Sequence, residues 1–389
     1  MRAAREPLFT PRFFVMCAFT FTVFLSAFML LPTAPFRIEA LGGSRFQAGL
    51  FLGFLTFASA LSAPFTGALA DRLGRRPMLV VTSLALAGFS TAYGLSRSAW
   101  LMLALVPAQG VFWSALLSTS SAYMTDLIPE SRRAEGIGYW GFATIGAIAV
   151  APPVGLLLYR RGWGSVCGAA VLMNLAMAAI ATRLRGESLS RPVPGGHGPL
   201  VEWRVLGLGF TLFLYTFGYG GVTSFVALYA QESGVAFRGV YFTAMALVIL
   251  ATRSVLGPLA DRVGHVRVLL PCLLLAALGL GLLACGGSLP WLLASALAFG
   301  TGFGTAYTAF AAHVLRHVAA ERRGAAFGGM LAAFDTGIGT GSIATGFIAE
   351  RAGFGVAFGV AAALAALAAP YFLWAEPRLR GRPAERGPA

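Results

Sequence analysis

Two formal charges lie deep inside long apolar stretches of this chain, Arg253 and Asp335. A charge among residues that otherwise avoid water is costly, so each is expected to face protein or a water-filled cavity and to have a function there. Arg253 stands eight residues before Asp261, and Asp335 twelve residues after Arg323. At helical rise these separations are about 12 and about 18 Å, a difference in depth that an arginine side chain can span. The spacing predicts a pair, and two readings of it stand: a carboxylate that loads and releases a proton, or a static ion pair that fixes helix packing. Partnership holds a carboxylate ionised and so opposes the first reading. The remaining reactive side chains form no catalytic constellation. His197, His265, His313 and His317 fall in or beside the segments between apolar stretches, and His313 and His317 read as solvated residues at a loop edge. Cys17, Cys167, Cys272 and Cys285 each sit singly among apolar residues and read as small core residues, without metal-ligand or disulfide spacing. No enzyme chemistry, metal or cofactor is expected.

The elements that hold these charges follow from composition. Of the 389 residues 57% are hydrophobic and 11% charged, against about 25% charged in a typical soluble domain. That excludes a water-soluble enzyme and a disordered chain. Twelve windows are long and apolar enough to cross a bilayer core. They run over 12–35, 46–70, 77–96, 99–124, 134–159 and 163–182, then 204–230, 238–260, 267–286, 290–315, 324–349 and 353–375. The first is too long for a signal-peptide core and is followed by others of its kind, so no cleavage is expected. With both termini placed in the cytoplasm, twenty-one arginines fall inside and seven outside, and no lysine occurs. The positive-inside rule accounts for the net charge of +14. These arginines are spread over many short loops, which argues against a nucleic-acid partner.

Sliding the chain along itself reveals a repeat at an offset of 190 residues. Gly67, Asp71, Arg72 and Gly74 fall on Gly257, Asp261, Arg262 and Gly264, while Gly110 falls on Gly300 and Arg132-Arg133 on Arg322-Arg323. Six windows per repeat make the copies parallel, so the expected fold is all-α and integral to the membrane, with twelve transmembrane helices in two pseudo-symmetric six-helix bundles. The bundles would occupy residues 1–182 and 204–375. A Pro/Gly-rich cytoplasmic linker at 183–203 and a cytoplasmic tail at 376–389 complete the chain. Asp335 and Arg253 correspond to Ile145 and Ala63 in the first copy, so these charges belong to one half only.

The segment Gly67-Ala-Leu-Ala-Asp71-Arg72-Leu-Gly74-Arg75-Arg76 resembles the signature loop of the major facilitator superfamily, and Gly257-Pro-Leu-Ala-Asp261-Arg262-Val-Gly264-His265 repeats it less completely. The resemblance covers nearly the whole chain and implies transport by alternating access. It implies too that Asp71, Arg72 and Arg76, with Gly67, Gly74, Arg75 and the second-copy residues Gly257, Asp261 and Arg262, form a cytoplasmic gate. A plain positively charged turn is the competing reading. Gly67 and Gly74 are expected to permit close helix approach and a tight turn. In the fifth window Ala147, Ala151, Pro152 and Gly155 resemble a degenerate antiporter pattern, although packing alone could demand small residues there. Gln109-Gly110 resembles an exporter pattern, but Val106 stands where that pattern has arginine, so coupling schemes that need the arginine do not carry over.

In that superfamily windows 1, 4, 7 and 10 line the cavity. Stripes at i, i+4, i+8 then offer Gln109, Trp113 and Leu117, their mates Phe299, Phe303 and Tyr307, and Thr211, Tyr215 and Tyr219, their mates Phe21, Leu25 and Met29. Such a lining is aromatic with few polar handles and suits a small amphipathic or sugar-like organic solute. Lipid contact or packing would explain the same stripes, and Thr301, Thr305 and Thr308 form a rival face. The expectation is a secondary active transporter of the cytoplasmic membrane, acting as a monomer and exporting such a solute against protons as the coupling ion. Uptake by symport or uniport is the alternative, and a non-transporting sensor or scaffold is the alternative of another class.

Overall fold

A computed structural model of the chain describes residues 7–184, 203–318 and 322–380, and its elements there are helical throughout. They are α1 (Pro11–Leu30), α2 (Ala34–Ala40), α3 (Arg45–Leu73), α4 (Arg75–Leu95), α5 (Ala99–Leu127), α6 (Arg133–Tyr159), α7 (Trp163–Arg183), α8 (Trp203–Glu232), α9 (Val240–Val263), α10 (His265–Cys285), α11 (Leu289–Arg316) and α12 (Arg323–Arg380), with one 3-10 turn at Glu130–Arg132. Among the described residues eleven candidate spans are long and apolar enough to cross a membrane. The first joins α1 and α2, and the last runs from Ala325 to Arg378. The expected first window is interrupted because Pro32 has no N–H to continue the helix, and Thr33 Oγ1 donates back to Met29 O at 2.6 Å. The expected linker, apart from its edges, and the tail beyond Arg380 lie outside the described residues.

Many polar side chains of these helices are satisfied by carbonyls of their own helix, as suits a segment surrounded by lipid. Thr82, Ser83 and Thr119 each donate to the carbonyl four residues earlier, at 2.7 Å in all three cases. The outer surface is apolar: Leu61, Phe65 and Leu95 are each 76% exposed, which water would penalise and hydrocarbon favours. This is a multi-pass integral membrane protein.

The chain forms two compact units. Unit 1 comprises Met1–Gly43 and Phe57–Pro192, and unit 2 comprises Ser44–Thr56 and Val193–Ala389. In unit 1 α1 packs on α6 and α7, and α4 on α5 and α7, around a core that includes Phe19, Leu86, Leu116 and Met177. In unit 2 the tightest pair is α8 with α12, where a Cβ added to Gly341 would stand only 1.8 Å from Phe217 O. Backbone therefore lies against backbone, a contact that only glycine admits. The first turns of α3 belong to unit 2. There Arg45 pairs with Glu232, donates to Ala349 O at 3.1 Å and lies 4.7 Å from the centre of the Phe354 ring, while Glu350 accepts from the Phe46 N–H at 3.0 Å.

The internal repeat has a backbone signature. Among the described residues, positive φ occurs at six glycines, which form three pairs 190 to 192 residues apart: Gly42 with Gly234, Gly74 with Gly264, and Gly162 with Gly353. Gly74 (φ 88°, ψ 145°) and Gly264 (φ 99°, ψ 139°) each precede the first residue of a helix in nearly the same conformation, one that side chains rarely adopt. Gly162 separates α6 from α7, and its mate Gly353 (φ 84°, ψ 165°) breaks the helical path inside the 58-residue α12, joining two helices into one continuous element.

Candidate functional site

Helical spacing places Tyr215 and Tyr219 on one face of α8, and Phe299, Phe303 and Tyr307 on one face of α11. The structure brings these faces together within unit 2. The Tyr219 and Phe303 rings stack with centres 4.2 Å apart, Tyr215 lies 5.2 Å from Phe303, and Phe299 lies 5.2 Å from Phe303. Offset stacks of this kind contribute about 0.5–1.5 kcal/mol each beyond area burial. From α12, Phe334 adds a sixth ring to the cluster, 5.1 Å from Tyr307 and 6.2 Å from Phe303. Tyr215 and Phe299 are fully buried and form the floor, whereas Phe303, Tyr307, Phe334 and Asp335 are half-buried and so can be reached. The Tyr215 hydroxyl is buried with no hydrogen-bond partner among the described residues. On the rival face of α11, Thr301 and Thr308 donate to carbonyls of their own helix, while the Thr305 hydroxyl is buried without a partner among the described residues.

Asp335 follows Phe334 and lies within electrostatic reach of Tyr307. Among the described residues its carboxylate has neither an ion pair nor a hydrogen bond. Arg253, half-buried on α9, is likewise without either. The pair predicted from depth is not formed in this structure. Equal depth is insufficient: α9 packs chiefly on α10 and α11, whereas α12 packs chiefly on α8 and α10, so the two side chains project from helices that are not neighbours.

The corresponding groups of unit 1 are occupied. Gln109 Oε1 accepts a hydrogen bond from the Tyr93 hydroxyl at 2.6 Å, and Trp113 meets the Phe24 ring edge to face at 5.9 Å. Ile145, the counterpart of Asp335, is buried. In α6, Ala147 and Ala151 are fully buried, Pro152 is buried, and a Cβ on Gly155 would stand 2.7 Å from Met29 O. These small residues seat α6 against α1.

The signature loop is only partly engaged. The side chain of Asp71 lies outside the described residues. Gly74 makes the turn, but the space beside Gly67 and Gly257 is open, so the close helix approach expected at Gly67 is absent. Arg72 and Arg262 are exposed, and Asp261 lies 3.9 Å from His265. Arg75 pairs with Asp126 and donates to Ala122 O at 3.0 Å, and Arg76 donates to Thr182 O, so both bind inside unit 1. Asp126 was not singled out in the sequence, although its place in the last turn of α5, facing a loop rich in arginine, was a usable signal. Two other readings change. His313 is buried, with Nε2 at 3.2 Å from Glu376, because the last turn of α11 folds under the end of α12. Cys285 is exposed at the end of α10, outside the core.

Long apolar helices with internally satisfied backbones, carrying a half-open aromatic cluster near a carboxylate that is unpaired among the described residues, define a helical membrane protein. The family model of the Major Facilitator Superfamily matches residues 16–252 and 208–389, and the chain belongs to this superfamily of secondary transporters. An Escherichia coli (strain K12) protein described as the uncharacterized MFS-type transporter YhhS is 28% identical over 388 residues, covering 95% of this chain and 93% of its own. The fold is also that of the human organic anion transporter MFSD10 (TM-score 0.71, 19% identity, 94% of this chain and 100% of that one). A bacterial homolog of the human lysosomal transporter Spinster shares it as well (TM-score 0.73, 15% identity, 98% of this chain and 100% of that one).

Proposed function

We propose that the chain exports a small amphipathic organic solute across the cytoplasmic membrane by alternating access, in exchange for protons that load on Asp335. The observation that carries this reading is the carboxylate itself: reachable, without an ion pair among the described residues, and next to Phe334 within electrostatic reach of Tyr307 in a membrane-spanning helix. An ion pair would hold it charged throughout a cycle; without one it is free to alternate between protonated and charged forms. The scaffold in this reading is twelve crossings in two six-helix bundles, residues 1–182 and 204–375, joined by the 183–203 linker and working as a monomer. Gly353 supports the count, since it divides α12 where Gly162 divides α6 from α7. Both termini lie in the cytoplasm, on the side that carries the arginine excess. The signature loops act as the gate on that side.

Oriented vesicles with imposed pH gradients of both signs test the reading. Export is expected when the outside is acidic relative to the cytoplasmic side, and solute addition should move protons the opposite way. Asp335→Asn is expected to abolish gradient-driven flux while retaining solute exchange at saturating solute. Gradient-driven flux that survives in this variant removes the proton role, and accumulation in the uptake direction reverses the assignment of export.

A further inference from the structure

We infer that the solute bound by the aromatic site of unit 2 is an organic cation with a single positive charge and a flat apolar ring. This rests on the transport reading for its purpose, but its argument is the site itself. Asp335 is a half-buried negative charge with no opposite charge against it among the described residues. The half-buried rings beside it, Phe303, Tyr307 and Phe334, present electron-rich faces that attract a cation and repel an anion. A sugar would need several donors and acceptors. The unpartnered hydroxyls on Thr211, Tyr215 and Thr305 are all buried rather than presented at the reachable rings, so the sugar-like branch of the expectation is disfavoured.

The restriction to one charge follows from the other acids of unit 2. Glu232 is paired with Arg45, Glu350 caps the Phe46 N–H, Glu376 faces His313, and Asp261 is exposed four residues before His265. Among the described residues of this unit none of them is available to a second ammonium group near the rings. The ring stack sets the shape: the Tyr219, Phe299 and Phe303 planes lie within 20° of one another, a surface that a flat ring continues and a globular cation does not.

Equilibrium binding to the purified full chain in lipid nanodiscs tests this, with empty nanodiscs as the reference for partitioning. The probes are ethidium, a flat permanent monocation, phenanthridine as a neutral molecule of similar shape at pH 8, and a flat aromatic sulfonate. Ethidium is expected to bind at least tenfold tighter than phenanthridine, and the sulfonate weakest. Asp335→Asn should lower ethidium affinity at least tenfold and leave phenanthridine unchanged, which also reports an intact site. Asp335→Glu should retain most of the ethidium affinity, and Phe303→Ala should weaken both probes. Unchanged ethidium binding in Asp335→Asn, or tighter binding of the sulfonate, overturns the inference. Should Asp335→Asn lose phenanthridine too, Asp335→Glu decides: cation selectivity kept supports the inference, and selectivity lost refutes it. The transport reading fails separately, when Asp335-dependent cation binding is present but no pH gradient drives flux.

Discussion

Units 1 and 2 carry copies of one backbone plan but differ in what their polar groups are doing. In unit 1 Gln109 is bound by Tyr93, Trp140 Nε1 donates to Thr20 Oγ1 at 2.7 Å, and Arg75 is paired with Asp126. In unit 2 the Tyr215 hydroxyl and the Asp335 carboxylate have no such partners among the described residues. The contrast extends to the loop ends, where the positions matching Arg75 and Asp126 hold His265 and Arg316. An ion pair in one copy has become a buried imidazole within electrostatic reach of a guanidinium in the other. Among the described residues, the polar groups compared in unit 1 are satisfied by partners of their own unit, while those beside the rings of unit 2 are left unsatisfied.

The largest effect that would break this comparison is at the tightest helix contact. Gly341 matches Ala151 of unit 1, yet Gly341→Ala is expected to cost at least about 3 kcal/mol, because the added carbon meets the Phe217 carbonyl and the backbones must part. Recovery of monodisperse protein and its melting temperature in detergent measure it, and a variant as stable as the parent would mean that α8 and α12 are not in backbone contact. Next comes Arg75→Ala, expected to cost about 1–3 kcal/mol by leaving Asp126 without its partner, with partial exposure of both groups favouring the lower end. The matching change in unit 2, Arg316→Asp, should instead raise the melting temperature, and more at pH 6 than at pH 8, since only the protonated imidazole of His265 is attracted to a carboxylate. A loss at both pH values would show that the two loop ends are not equivalent. The smallest and sharpest pair is Tyr93→Phe against Tyr215→Phe. The first should cost about 1 kcal/mol by stripping Gln109 of its donor. Tyr215→Phe should change stability by less than about 0.5 kcal/mol, since it removes a hydroxyl that nothing holds.

Much of this was readable in advance because the bilayer imposes simple rules. Window length, arginine distribution and the 190-residue register follow from hydrocarbon thickness, the positive-inside rule and chain identity, none of which needs a contact map. The aromatic stripes of α8 and α11 were visible for the same reason, since helical periodicity fixes which side chains share a face. Phe334 was not visible, because its role depends on α12 arriving beside α11, and the only local signal was its adjacency to Asp335. The Arg253–Asp335 pair failed on the same ground: depth in the membrane is one coordinate, and pairing needs three.

The amino-acid sequence by itself determined that the chain is a helical membrane protein built from a duplicated unit, and it marked the two charges that hydrocarbon cannot tolerate without cause. Tertiary structure alone decided which of those charges stands beside the rings, which polar groups of the first copy are already bound, and that His313 is covered and Cys285 bare. The reason is physical: hydropathy and periodicity are properties of one segment in a uniform solvent, whereas partnership is a property of neighbours brought together from distant positions in the chain.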